Sequence, residues 1–383
     1  MTGYPARVAL FFTAIFLVAG TKLPYLPVWL DFRGLSGAEI ATITAAPLFL
    51  RIVATPAIAM LADRWGNHRG MVVLLAWCSL ACLVTLSMMT GFWPILAVTL
   101  VLAIVTTSIM PLTETIAMTG VRQAGADYGR MRLWGSLSFI AASFIAGVLV
   151  TRHGAGIVAA VLIAGGLATV VAAHLLPRPG SSSEGRATVV IGDIVAMLCN
   201  ARFVGFLAAV GLIQSAHAVF YTFGVLHWRA QGLSETWAGV LWAVGVIAEI
   251  GLFAFSGAAM RRAGALGLIL AGGAASVVRW VAMGFDPPLA GLILLQALHG
   301  LTYGATHLGA VHFMTRHVPP AQAGTAQALY ASVTAGIAMG LATLLAGRLY
   351  PTAGASAYLA MSAFAAGGVL LALLIGRSER RTG

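Results

Sequence analysis

Twelve apolar runs, each about twenty residues or longer, follow one another along a chain of 383 residues. They fall at 7–30, 38–62, 70–90, 94–118, 131–151, 155–176, 202–227, 235–259, 265–284, 288–315, 322–348 and 354–376. Hydrocarbon offers no partner to a backbone amide, so a segment that crosses it must satisfy its own N–H and C=O groups, and a helix does so. The chain is therefore expected to be an all-α integral membrane protein of twelve transmembrane helices. Its composition is 60% hydrophobic and only 9% charged, where a soluble domain carries about a quarter charged residues. The first run is too long for a cleaved leader and is followed directly by another, so it reads as a span.

Net charge is +11, from 21 Arg and one Lys against 11 acids. In a soluble chain this excess would point to nucleic acid. Here the bases flank spans, where they meet anionic head groups, and no nucleic-acid partner is expected. With the N-terminus inside, alternate connections on that side carry Arg7, Arg64, Arg69, Arg122, Arg130, Arg178, Arg186, Arg202, Arg261, Arg262, Arg316, Arg377, Arg380 and Arg381. The opposite side carries Arg33, Arg152, Arg229 and Arg348. Fourteen against four predicts that both termini are cytoplasmic.

The connections are short except for PRPGSSSEGRATVVIGDIVAMLCN, rich in Pro, Gly and Ser at its start. It divides the chain into an N-terminal six-helix bundle over 1–176, a cytoplasmic linker over 177–200 and a C-terminal six-helix bundle over 201–383. The halves repeat. Gly34-Leu35-Ser36 recurs as Gly232-Leu233-Ser234, and the same offset of 198 carries Gly66 onto Gly264 and Arg51 onto Glu249. Two pseudo-symmetric six-helix bundles with a substrate site between them near the midplane form a transporter architecture.

A charge at mid-bilayer costs about 2.5–3.5 kcal/mol on insertion scales, so it faces a partner or a water-filled cavity. The four bases counted on neither side, Lys22, Arg51, Arg132 and Arg279, fall within spans or at their edges. The membrane interior also holds two acids, Glu114 and Glu249. Arg130 and Arg132 open the fifth span two residues apart, so they point about 200° from each other on a helix. Arg130 is read as a surface anchor and Arg132 as the inward side chain, facing Glu114. Glu249, in the middle of the eighth run, is the candidate to carry a proton. Arg279, mid-span in the ninth, is read as a substrate-facing base or a structural partner of Glu249. The excess of bases over acids makes a seat for an anionic substrate such as a carboxylate. In the tenth run Gln296, His299, Tyr303 and His307 share one helical face and are expected to line a cavity. His217 and His312 stay open.

No phosphate-binding loop, nucleophile elbow or Cys/His metal pattern is present. His299 and His307 are two turns apart without a completing acid or Cys, and Cys78, Cys82 and Cys199 read as packing residues. Neither enzyme chemistry, a metal nor another cofactor is expected, and an ion gradient is the remaining energy source.

The chain resembles the major facilitator superfamily. Its loop signature has the form G-x-L-A-D-R-x-G-R-K. In ADRWGNHRG and the residues before it, Ala59 replaces the first Gly, while Leu61, Ala62, Asp63, Arg64 and Gly66 match. The resemblance implies that Asp63, Arg64 and Gly66 belong to a conformational-switch motif. More narrowly, KLPYLPVWL, PLTE, GRMRLWG, AEIGLFAF, ASVVRW and QALHGLT resemble the phenylpropionate-permease-like and lactose-permease-like branch, related to oligosaccharide:proton symporters. That resemblance implies Glu114 and Arg132 as substrate contacts, Phe139 as the aromatic beneath a sugar ring, Glu249 and Arg279 as the eighth- and ninth-helix charges, and His299 as the tenth-helix histidine. Two positions depart from the sugar symporters: the acid three residues after that histidine is Thr302, and the lysine three before it is Gln296. YGRMRLWGSLSF and the base at Arg51 are more similar to the phenylpropionate-type members.

The expectation is a proton-coupled symporter of the inner membrane, acting as a monomer by alternating access. It would take up a small organic anion, such as an aromatic carboxylic acid. Lys22, Arg51, Glu114, Arg132, Phe139, Arg279, Gln296, His299 and Tyr303 are the substrate-site candidates, and Glu249 and His299 the proton-coupling candidates. The alternatives are a sugar, oligosaccharide or nucleoside symporter and a drug or metabolite efflux antiporter of the same fold.

Overall fold

The computed structural model describes residues 3–177 and 191–382. Among these every regular element is helical. The first half holds α1 (Tyr4–Phe32), α2 (Gly37–Trp65), α3 (His68–Met88), α4 (Phe92–Thr107), α5 (Ile109–Ala124), α6 (Tyr128–His153) and α7 (Ile157–Leu175). There follow α8 (Ile191–Cys199), α9 (Ala201–Ser215), α10 (Ala218–Ala230), α11 (Glu235–Ala254), α12 (Ser256–Met283) and α13 (Leu289–Ala297). The last are α14 (Thr306–His317), α15 (Ala323–Ala331), α16 (Met339–Ala353) and α17 (Ala357–Thr382). Positions 178–190 of the linker expected at 177–200, Arg178 and Arg186 among them, lie outside the described residues, and its end is α8. The side chains of Arg380 and Arg381 are likewise outside them.

Eleven stretches of the described residues are long and apolar enough to cross a membrane. The expected runs 322–348 and 354–376 fall in one stretch of 58 residues, Pro320–Arg377. It is interrupted at Gly354, where φ is +53°. Several runs that look uniform in sequence are broken helices. The run 94–118 divides at Ser108 between α4 and α5. Pro111 explains the break, because its ring leaves the preceding turn without a donor. A π-helical turn, Gly300–Ala305, lies between α13 and α14, and a second, Ser332–Ala338, between α15 and α16.

The short connections are fixed by caps. Ser36 and Glu39 bond reciprocally to open α2, with Glu39 Oε2 accepting from the Ser36 amide at 2.8 Å. Asn67 opens α3 and Asp127 opens α6 in the same way, through side-chain oxygens that accept from Gly70 and Arg130. The repeat seen in sequence extends to the backbone. Gly34 and Gly232 have φ of +79° and +86° and donate to the carbonyls of Asp31 and Arg229. The next residues, Leu35 and Leu233, reach back to Leu30 and Trp228. Each bond in one half is the other displaced by 198 positions. Gly66 and Gly264 share positive φ, +64° and +66°.

The chain forms two compact units, Met1–Ser183 with Gly224–Ala243, and Glu184–Phe223 with Val244–Gly383. In the first, α1 is the central element and packs on α6, α7, α5 and α2. Its crossing with α6 is close: Ser138 and Ser143 donate to the carbonyls of Thr13 and Gly20 at 2.7 and 3.0 Å. In the same unit the Tyr25 hydroxyl lies 2.9 Å from the Ser143 carbonyl and 3.0 Å from that of Glu235, and Arg229 pairs with Asp31. In the second unit α12 packs on α17 and α14, and α9 on α17 and the π-helical turn at 332–338.

Candidate functional site

Among the described residues, each unit holds a cluster of polar side chains that includes charges from its apolar runs. In the second unit the cluster forms where α11 and α12 close on the π-helical turn after α13. Two glycines permit this approach. A Cβ on Gly300 would come within 2.7 Å of the Ala248 carbonyl of α11, and one on Gly272 within 2.8 Å of the Leu301 carbonyl. Small residues at such crossings let backbones meet where lipid supplies no hydrophobic drive. The first contact brings Glu249 to the tenth run. The second brings Arg279, two turns beyond Gly272 on α12.

Arg279 is wholly buried. Its Nη2 donates to Gln296 Oε1 at 2.8 Å, and its Nη1 to Thr302 Oγ1 at 3.0 Å and His299 Nδ1 at 3.1 Å. The guanidinium carbon lies 4.5 Å from the Trp280 ring centre and 5.0 Å from that of Phe220, within cation–π range. A guanidinium has no acceptor, so the imidazole nitrogen facing it must accept. That fixes the His299 tautomer: its proton sits on Nε2, which stands 3.8 Å from Glu249 Oε2. Arg279 is therefore not the direct partner of Glu249; the His299 ring stands between the two charges. Tyr303 stacks on His299 with ring centres 5.5 Å apart and on His307 at 6.0 Å, and His307 Nδ1 lies 2.9 Å from the Tyr330 hydroxyl.

In the first unit the α5–α6 pair carries Glu114 and Arg132. They make no ion pair with each other among the described residues. Instead Tyr128 donates to Glu114 Oε1 at 3.3 Å and lies within electrostatic reach of the Arg132 guanidinium one turn along α6. Arg132 rests over the Phe16 ring at 4.2 Å and near Phe12 at 5.7 Å, and its Nη1 is buried without an acceptor. Arg130 is exposed. Lys22, half-buried on α1, makes no hydrogen bond or ion pair to a described residue. Its position precedes Pro24 and Pro27, which interrupt the donor ladder of the helix. Arg51 is half-buried on α2. Phe139 is buried on α6 with its ring 6.3 Å from that of Trp242.

The loop motif is at the end of α2. Asp63 Oδ1 meets His68 Nε2 at 2.9 Å, Arg64 is exposed in the last turn, and Gly66 closes the helix in the left-handed region. Two site residues were not legible as such. Tyr128 is four positions before Arg132 on a helix, a spacing that puts both on one face. His217 belongs to the second cluster through Thr302, but in sequence it is one of two well-separated histidines in the seventh apolar run.

A family model described as the MFS_1 like family matches residues 6–360. The protein of Escherichia coli (strain K12) named "Probable 3-phenylpropionic acid transporter" is 31% identical over 365 residues, 92% of this chain and 93% of its own length. The "Maltose permease" of Geobacillus stearothermophilus is 30% identical over 381 residues, 98% of this chain and 95% of its own. The crystal structure of the nucleoside transporter NupG superposes with a TM-score of 0.84 at 18% identity, over 98% of each chain, a likeness of fold.

Proposed function

Because the chain belongs to the MFS_1 like family, and is thus a multi-pass membrane transporter of the major facilitator type, we propose that it is a proton-coupled symporter for a small organic anion. An aromatic carboxylic acid is the favoured class. The protein sits in the inner membrane as a monomer, with twelve spans, an N-terminal bundle over 1–176, a linker over 177–200, a C-terminal bundle over 201–383 and both termini cytoplasmic. Alternating access comes from rocking of the two bundles, and Asp63, Arg64 and Gly66 govern that motion.

The observation that carries this reading is the Glu249–His299–Arg279 arrangement, with His299 Nε2 at 3.8 Å from the carboxylate and Nδ1 at 3.1 Å from the guanidinium. Glu249 takes the proton, and His299 presents an N–H to the ionised carboxylate while Arg279 holds its other nitrogen as an acceptor. Gln296 and Tyr303 keep these groups in place. In the first unit, Lys22 and the unpaired Nη1 of Arg132 lack the acceptors that a substrate carboxylate supplies. With Arg51 they form the anion seat, and Phe139 offers an aromatic face. The relative named for 3-phenylpropionic acid supports the substrate class.

A second reading is favoured by Glu114. A carboxylate that already accepts from the Tyr128 phenol also suits sugar hydroxyls, and a maltose permease is among the relatives. Uptake into proteoliposomes decides between them, with aromatic acids, sugars and nucleosides as cargo and with or without an imposed pH gradient. The anion reading expects 3-phenylpropionate to accumulate only when the outside is acidic. Glu249→Gln is then expected to abolish that accumulation and spare counterflow. Gradient-driven uptake at the unsubstituted rate in this variant removes Glu249 from coupling.

A further inference from the structure

His217 joins the second cluster from a place where the seventh run breaks. α9 ends at Ser215 and α10 begins at Ala218, and the wholly buried His217 occupies the gap. Its Nδ1 is 3.0 Å from the Gln214 carbonyl, and its Nε2 is 3.0 Å from Thr302 Oγ1. A carbonyl only accepts, so Nδ1 carries a proton and donates. In the neutral ring Nε2 then accepts, and its donor is the Thr302 hydroxyl. Thr302 Oγ1 in turn accepts from Arg279 Nη1 at 3.0 Å. With His217 neutral this hydrogen-bond relay of ring nitrogens and hydroxyl is satisfied.

It is also satisfied with His217 protonated. A proton taken up from water bonds to Nε2, and the ring becomes an imidazolium with two N–H donors. Nε2–H now points at Thr302 Oγ1, which has a second lone pair free to accept it. The hydroxyl proton must turn away, and the His299 carbonyl lies 3.5 Å from Oγ1 to receive it. Release of the proton to water reverses each step. No backbone movement is needed, only rotation of one hydroxyl. His299 has no such second state while Arg279 donates to its Nδ1, since a second ring proton would oppose the guanidinium N–H groups.

We propose that His217 is a second proton-carrying group of this transporter and that the Thr302 hydroxyl is its two-position switch. This rests on the proton-coupled reading above and deepens it. The other titratable groups around His217 are Tyr221 of α10, Arg279 of α12, and His299 and Tyr303 of the tenth run, with ring centres at 5.4, 5.4 and 6.2 Å for Tyr221, His299 and Tyr303. The only fixed charge among them is Arg279. It opposes a second cation, so His217 holds its proton when a substrate carboxylate or ionised Glu249 offsets the guanidinium. Proton and anion are then taken up together.

Two measurements test this on the full-length protein in bilayers. The first is solid-state 15N NMR of histidine-labelled protein, with His217 assigned by difference against His217→Gln. The expected neutral form has its proton on Nδ1, and acidification is expected to protonate Nε2 as well, with Nδ1 keeping its proton. A neutral form protonated on Nε2, or a ring that stays singly protonated throughout, overturns the proposal. This readout does not depend on cargo. The second is uptake of 3-phenylpropionate, where one coupled proton gives about ten-fold accumulation per unit of pH gradient. With a gradient of one pH unit, His217→Gln and Thr302→Val are each expected to lower the ratio of gradient-driven accumulation to counterflow by about ten-fold, while Thr302→Ser, which keeps the hydroxyl, restores it. An unchanged ratio in both variants overturns the role of His217 alone. Absence of gradient-driven uptake in the unsubstituted protein instead removes the function on which the proposal rests, and the NMR titration still decides whether His217 titrates.

Discussion

Arg279→Leu isolates what the buried guanidinium does for the fold. The side chain makes three hydrogen bonds, to Gln296 Oε1, Thr302 Oγ1 and His299 Nδ1. At the average of about 0.6 kcal/mol for interhelical hydrogen bonds in a membrane protein, their loss costs about 2 kcal/mol. Two acceptors are also stranded. Gln296 Oε1 and His299 Nδ1 have no other donor among the described residues, whereas Thr302 keeps His217. A buried polar atom left unpaired costs about 1–3 kcal/mol. Part is returned, because Arg279 Nε is itself buried without a partner and leaves with the side chain. The expected net loss is about 2–5 kcal/mol, read as a lowered midpoint in an SDS titration of the detergent-solubilised protein followed by tryptophan fluorescence. The double variant Arg279→Leu/Gln296→Leu removes one stranded amide and is expected to recover about 1–3 kcal/mol of that loss. If Arg279→Leu stays within about 0.5 kcal/mol of the parent, or if the second substitution only adds further loss, the guanidinium is not held by these acceptors and the reasoning fails.

Two further outcomes follow from the first unit. A Cβ on Gly20 would meet the Phe139 carbonyl at 2.6 Å, so Gly20→Val forces α1 and α6 apart and is expected to cost at least the roughly 1–3 kcal/mol of an overpacked core; a thermal midpoint equal to the parent's would show that the crossing is looser than described. Tyr128→Phe removes the donor to Glu114 but keeps the ring beside Phe12, so substrate half-saturation is expected to shift about five-fold, near 1 kcal/mol, with the thermal midpoint unchanged. A lowered midpoint with unaltered half-saturation would make Tyr128 a packing residue only.

Some of the site could be read before any coordinates. Charged residues in apolar runs are so costly that they identify themselves, which is why Glu114, Arg132, Glu249 and Arg279 stand out without a structure. The stripe Gln296, His299, Tyr303 is visible from spacing alone. What spacing missed is instructive. Glu249 and Arg279 look like natural partners as opposite charges on neighbouring runs, yet an imidazole separates them. Glu114 and Arg132 look like another pair, yet the phenol of Tyr128 takes the carboxylate. In each case a neutral side chain intervenes, and neutral side chains leave little mark in a run of apolar residues.

Residue order was enough to show that this chain lives in lipid, roughly where it crosses, and that its second half repeats the first. Those follow from transfer free energies and from glycines that only a positive φ requires, both properties of residues taken one at a time or at a fixed offset. Tertiary structure alone decided which atoms share a proton. A helix apolar on all sides gives no signal of which face turns inward, and a break such as that at His217, or the π-helical turn at Gly300–Ala305, resets the phase of everything after it. Whether Arg279 meets a carboxylate, an amide or a hydroxyl depends on how near α11, α12 and the tenth run approach, and that distance is set by Gly272 and Gly300 against backbone carbonyls from runs remote in sequence.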